Sequence, residues 1–264
     1  VGNITPNSGN LIIPKGVLGI DLWAAGAKTG MFWDAGDAQE FTTTWSVEVA
    51  EKNTMRTGAS GLYASAVKSA KGEIGITLTE WAARNVAMHA LGTRTDLVQT
   101  ASTKTDTAPV GDPAMQKGAK CYIGFRDVTT FALKMAPSTA LVLGTDYTFD
   151  AATGEITILS TSSTFTNGSK LLWSGTVPQI QATSGRSIIT PLSSPMILAS
   201  LRYRSAPDQA VGQKFDIFIP KVQIYPDGPE EWLKDDFADL KLKAKLLFDT
   251  TQAAGYEYGT ITEL

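Results

Sequence analysis

The sequence predicts a mainly β protein of antiparallel strands with one flanking α-helix, and three observations predict it. Phe41-Thr42-Thr43-Thr44-Trp45-Ser46-Val47-Glu48-Val49 alternates apolar with polar residues, and so does Glu73-Ile74-Gly75-Ile76-Thr77-Leu78-Thr79. Period-two alternation gives a strand one buried and one wet face. The second half repeats short alternating or apolar runs between turn signals, among them Asn167-Gly168 ahead of Lys170-Leu171-Leu172-Trp173. One stretch, 80–91, instead places Trp81, Ala83, Val86, Ala87, Ala90 and Leu91 at three- and four-residue steps, the stripe of a helix. Thr79 reads as its N-cap and Gly92 as its C-terminal stop.

Composition narrows the function classes. A length of 264 residues fits one large all-β domain or two small ones. A hydrophobic content of 43% supports a real core and argues against wholesale disorder. The net charge of -3 argues against a dedicated nucleic-acid binder, which needs a basic stripe to displace counterions from phosphates. No apolar run approaches transmembrane length, so no membrane insertion is expected, and no basic-then-apolar leader opens the chain. The single cysteine, Cys121, cannot close an internal disulfide. With a single histidine, His89, most soft-metal sites and the usual nucleophilic triads are excluded.

Two acidic groupings remain: Asp34, Asp37 and Glu40, and then Glu230, Glu231, Asp235, Asp236 and Asp239. Facing carboxylates can hydrolyse glycosides or bind calcium. Sequence spacing places neither arrangement, and carboxylates in turns are most often solvated. The chain is therefore read as a non-enzyme with no cofactor, metal or catalytic residue.

Taken in order, residues 1–36 are glycine-rich with apolar anchors such as Leu11-Ile12-Ile13 and Met31-Phe32-Trp33. They read as an N-terminal arm laid against its own domain or a neighbouring subunit, or as a loosely packed strand with turns. Residues 50–71 read as a long inter-strand loop, far longer than the two-residue turn that would join adjacent strands. Its charges, with Met55, Leu62 and Tyr63, suit contact with another molecule. Residues 93–118 and 178–195 read as loops. Between them, 119–177 reads as a small antiparallel meander inserted into the main sheet.

The last third returns to long strands. Ile197, Ala199, Leu201 and Tyr203 share one side of a strand, and 215–225 forms another that Pro220 demotes to an edge or a bulge. Residues 230–237 read as a short helical turn. The strand 239–248 is amphipathic, its lysines serving as edge protection. Residues 249–264 read as a C-terminal tail.

The polar faces of the two leading strands carry Thr42, Thr44, Ser46 and Glu48, and Glu73, Gly75, Thr77 and Thr79. Neither holds Lys or Arg. Such a face would let a polyanion pass without sticking, although an ordinary outer face of a sheet explains the same residues.

This order resembles the major tail tube proteins of long-tailed, siphovirus-like bacteriophages. The resemblance is one of pattern, over roughly 36–92 and 196–262. It lies in Arg56-Thr57-Gly58 within the long loop, Leu78-Thr79-Glu80 before the helix, and Ala90-Leu91-Gly92 at its end. Later come Ile219-Pro220-Lys221-Val222, Asp235-Asp236-Phe237, Leu246-Leu247-Phe248-Asp249, and Gly144-Thr145-Asp146-Tyr147 before Gly154-Glu155-Ile156.

The resemblance implies a single tail-tube domain over 1–264, built as an antiparallel β-sandwich or half-barrel with one helix and extended terminal arms. It implies hexameric rings stacked into a tube that holds the tape measure protein, meets tail terminator and tail tip proteins, and conducts double-stranded DNA during ejection. The protein would assemble in the host cytoplasm and reside in the virion tail. Thr42, Thr44, Ser46, Glu48, Glu73, Thr77 and Thr79 would face the channel. Lys52, Asn53, Met55, Arg56, Leu62 and Tyr63 would form the ring-stacking loop. Two other readings of the residues stay open: a monomeric β-sandwich binding module or adhesin, carbohydrate-binding for example, and a carboxylate-based hydrolase.

Overall fold

The computed structural model describes residues 12, 14–53, 62–207 and 212–264. The fold is mainly β, with antiparallel sheets, one α-helix among the described residues and no closed barrel. The chain opens with β1 (Gly16–Leu22), β2 (Trp33–Asp34), β3 (Ala38–Asn53), β4 (Leu62–Leu78), α1 (Ala83–His89) and β5 (Thr93–Asp96). Then follow β6 (Ser102–Thr107), β7 (Lys120–Tyr122), β8 (Thr129–Met135), β9 (Thr139–Ala140), β10 (Tyr147–Asp150), β11 (Glu155–Ile158) and β12 (Leu171–Val177). It closes with β13 (Ser187–Thr190), β14 (Ile197–Ser205), β15 (Phe215–Pro226), β16 (Leu240–Leu246) and β17 (Thr260–Glu263). Two compact units result: one from the chain up to Arg94 together with Ile189–Leu264, the other from Thr95–Ile188.

The first unit is one curled sheet in the order β2-β1-β14-β15-β16-β4-β3. β15 is long enough to hold two neighbours on one edge, β17 along Phe215–Phe218 and β16 along Val222–Pro226. The curl brings Phe41 of β3 to stack on Tyr203 of β14, ring centroids 5.6 Å apart. Its inner face buries Leu18, Ile20, Ile74, Ile76, Leu201 and Ile224, and α1 adds Val86 and Met88 to this core. At the bulge that Pro220 was expected to cause, the register slips between Ala199 and Leu201. There the Ser200 hydroxyl donates to the Pro220 carbonyl at 2.8 Å.

Several expectations change. Much of the N-terminal arm is core: β1 lies between β2 and β14, and Gly19 lacks the Cβ that would stand 3.3 Å from Phe32. Its glycines hid a strand whose Leu18 and Ile20 share the buried face. β16 is no edge strand, because β15 and β4 flank it, so its lysines simply mark the solvated face. α1 is shorter than expected, with Ala82 at the N-cap. The Thr79 hydroxyl instead donates to the Asp37 carbonyl at 3.0 Å, tying the end of β4 to the start of β3. Leu91 takes the left-handed position after the helix (φ 48), while Gly92 is needed because a Cβ there would meet the Thr190 carbonyl at 2.5 Å. Residues 230–237 form an irregular loop without a helical turn. The expected loops hold β5, β6 and β13, and the C-terminal tail holds β17.

The second unit packs a three-stranded sheet, β10-β11-β7, and a four-stranded sheet, β6-β12-β8-β9, around its own core. The meander expected over 119–177 lies inside it. Phe131 stacks on Phe149 at 3.7 Å and on Trp173 at 5.9 Å.

One buried carboxylate gives a pH prediction. Asp249 has a side chain only 2% exposed, and it accepts hydrogen bonds from Lys28 Nζ (2.9 Å), Thr251 Oγ1 (2.8 Å), the Thr251 amide (3.1 Å) and Gln252 Nε2 (3.1 Å). Burial alone would raise its pKa. The donors together outweigh burial and hold it well below the ordinary 3.8. A depressed pKa stabilises the fold above the unfolded value, and that stability is lost as pH falls through the folded one. The wild type should therefore lose more stability between pH 5 and about 2 than Asp249→Asn does, measured by urea midpoints.

Candidate interaction surface

β3 and β4 pair from Ala38↔Leu78 out to Asn53↔Leu62. β16 joins β4 only along Glu73–Leu78. Beyond Gly72 the two strands pair only with each other among the described residues, and a two-stranded ribbon alone is marginal in water. The expected loop over 50–71 is thus mostly ladder. The sequence concealed it because neither face of the ribbon is buried, so no burial pattern marks it.

The core-facing side of this ribbon continues past the body. Phe41 and Trp45 lie on one face of β3, cross-strand from Ile76 and Gly72. A Cβ on Gly72 would sit 2.9 Å from Leu246 and 3.1 Å from the Trp45 ring, so glycine lets those side chains close the end of the core. Farther out Val47 and Val49 continue the stripe opposite Ala70 and Val67, with no cover from the described residues. Trp45 is 56% exposed and Tyr63, near the tip, 76%. Val47, Val49, Leu62 and Val67 are exposed as well.

On the opposite face the register aligns Thr42, Thr44, Ser46 and Glu48 with Gly75, Glu73, Lys71 and Ser69. Thr77 sits at the inner end of this row, nearly buried, its hydroxyl donating to Glu40 at 3.1 Å. Thr79 lies beyond the end of β4 and is not part of it. The face is not free of cations. Lys241, Lys243 and Lys245 of β16 stand beside Thr77, Gly75 and Glu73, and Lys68 and Lys71 each lie 3.7 Å from Glu48. Reading two strands without their neighbour missed the β16 lysines, and reading 50–71 as a loop left Lys68 and Lys71 off the face. Of the expected stacking residues, Lys52 and Asn53 end β3 and Leu62 and Tyr63 begin β4, whereas Met55 and Arg56 lie outside the described residues.

A second exposed patch was missed. The loop from β15 to β16 presents Leu233, 98% exposed, and Phe237, 91% exposed. It is fixed at its base. Trp81 Nε1 donates to the Ala238 carbonyl at 2.6 Å, and the Trp81 and Trp232 rings meet edge to face at 5.0 Å. Trp232 Nε1 donates to Glu230 at 3.0 Å, and the other oxygen of Glu230 lies 3.0 Å from Nδ1 of buried His89. The signal was present in the sequence as Trp, Leu and Phe set among acids, a mixture unusual for a merely solvated turn.

Among the described residues no group of three or more His, Cys, Asp or Glu could hold a metal ion, and no helix is long and apolar enough to cross a membrane. Cys121 is buried, and burial pushes its thiol up to about 11, so it is no thiolate at neutral pH. A family model matches residues 11–262. The chain belongs to that family, described as protein of unknown function UCP028589. The match spans both units, so the Thr95–Ile188 unit is part of what this family shares. No curated protein matches the chain.

Proposed function

We propose that this member of the family is a structural subunit that assembles with copies of itself, and that the assembly is a phage tail tube. In this reading hexameric rings stack around a channel that holds the tape measure protein and later passes double-stranded DNA. Terminator and tip proteins bound the tube, and the virion tail is its location. The observation that carries the reading is the β3–β4 arm. Among the described residues its edges are unpaired and its apolar stripe uncovered, an arrangement costly for an isolated monomer and prone to adventitious pairing. A neighbouring copy would pair its edges and cover Val47 and Val49.

Negative-stain micrographs and sedimentation of the purified chain at rising concentration test this. Rings or hollow tubes are expected. A monomer at the highest soluble concentration, above all one that binds a glycan, would replace this reading with the binding module.

A further inference from the structure

We propose that the Thr95–Ile188 unit binds a small phosphate monoester in an open cleft of about 440 Å³. That volume is of the size that small-molecule sites have. The stretch leading into β6 lines one side and residues 124–126 the other, all from this one unit.

Charge carries the inference. Lys104 and Arg126 line the cleft, and no carboxylate does. Elsewhere in the unit Lys120 pairs with Glu155, Lys134 with Asp106, Lys170 with Asp112 and Arg186 with Asp127. The last pair engages the carboxylate next to Arg126 in sequence. Lys104 and Arg126 have no acidic partner among the described residues, so the cleft keeps two positive charges. A phosphate monoester carries about −1.5 to −2 at neutral pH, with three strong acceptor oxygens. A carboxylate would match only one of the two cations.

The cleft is held in shape by neutral groups. Gln99 Nε2 donates to the Arg126 and Pro178 carbonyls, each at 2.9 Å, and Gln99 Oε1 accepts from the Arg126 amide at 2.9 Å. That clamp fixes the Arg126 backbone, while the guanidinium makes only a long contact, 3.4 Å, to the Ala152 carbonyl. Its remaining donors form the fork that suits a phosphate. Lys104 Nζ lies 4.8 Å from the Phe125 ring centroid, and Phe125 is tilted against Trp173. A cation–π contact places the ammonium without cancelling its charge. Thr100 and Ser102 add hydroxyls to the lining, and Leu97 and exposed Val98 offer an apolar wall to the rest of the ligand. A site ordered before contact loses little entropy on binding.

Saturation-transfer difference NMR on the full chain tests this, with phenyl phosphate, benzoate and benzyl alcohol as probes. The three share a ring and differ in charge. Phenyl phosphate should give the strongest transfer, benzoate a weaker one and benzyl alcohol none, and inorganic phosphate should compete. Arg126→Ala and Lys104→Ala should each weaken phenyl phosphate binding about tenfold, one charge-assisted contact being lost, with circular dichroism unchanged. Arg126 is exposed, so its truncation should not disturb the fold. Lys117→Ala removes a cation of the same unit outside the cleft and should change nothing.

No transfer from phenyl phosphate at millimolar concentration would overturn the site. So would equal signals from all three probes, or binding that survives both substitutions. Benzoate outbinding phenyl phosphate would overturn the phosphate assignment. The cleft belongs to one unit of one chain, so none of these outcomes decides whether copies assemble.

Discussion

Cutting the β3–β4 arm short is expected to abolish assembly and leave the first unit folded. Trp45 and Gly72 are direct cross-strand partners, so residues 46–71 can be replaced by Asn-Gly, whose type I′ turn suits a two-residue hairpin. The substitution removes Val47, Val49, Leu62, Tyr63 and Val67, all exposed, and leaves Phe41, Ile74 and Ile76 in place. Because the removed residues lie outside the core, stability should change by no more than about 1 kcal/mol, read from urea unfolding at a concentration where both chains are monomeric. Sedimentation should then show no species larger than the monomer. A shortened chain that still forms the same assemblies would show that the arm is not the interface. A shortened chain that unfolds would show that the ribbon belongs to the body of the unit.

How legible the fold was depended on how far burial followed the pattern. Glu73-Ile74-Gly75-Ile76-Thr77-Leu78 was readable because its apolar face is covered by α1 and the rest of the sheet. Val47 and Val49 have the same alternation and no cover, so the pattern gave the strand but could not say what lies over it. Farther out, Ala64, Ser65 and Ala66 carry no pattern at all, and only the ladder to Lys52, Glu51 and Ala50 identifies them as strand. Glycine obscured other elements. Gly16 and Gly19 read as an arm, yet a Cβ on Gly16 would meet the Arg204 carbonyl at 2.4 Å, so close packing of neighbouring strands is what requires glycine there.

The candidate surface was less legible, for a related reason. A side chain's face can be read from one strand, but the charge of a surface depends on which strand lies beside it. β4 ends at Leu78 and β16 begins only at Leu240, yet Lys241 and Lys243 stand directly beside Thr77 and Gly75. The acidic loop shows the same limit. Its carboxylates looked like a solvated turn because the contacts that fix it, His89 to Glu230 and Trp81 to Trp232, span more than a hundred residues of sequence.

The second large effect is expected in the core of the Thr95–Ile188 unit. Trp173 is fully buried, with Phe131 stacked on it and Phe125 tilted against it, each 5.9 Å away between centroids. Truncation by Trp173→Ala removes the ring that both aromatics rest on and leaves a cavity, at a cost of about 3–5 kcal/mol. For a unit of this size that lowers its thermal midpoint by on the order of 20 °C. Hydrogen exchange at the β12 and β8 amides should accelerate accordingly. Trp173→Phe should cost much less than truncation predicts from area alone. The indole Nε1 is buried with no hydrogen-bond partner among the described residues, so the phenyl ring gives up packing but also removes an unsatisfied donor. Equal destabilisation by both variants would mean that Nε1 is satisfied, by a bound water for example, and that the indole is held by its polar edge as much as by its aromatic neighbours.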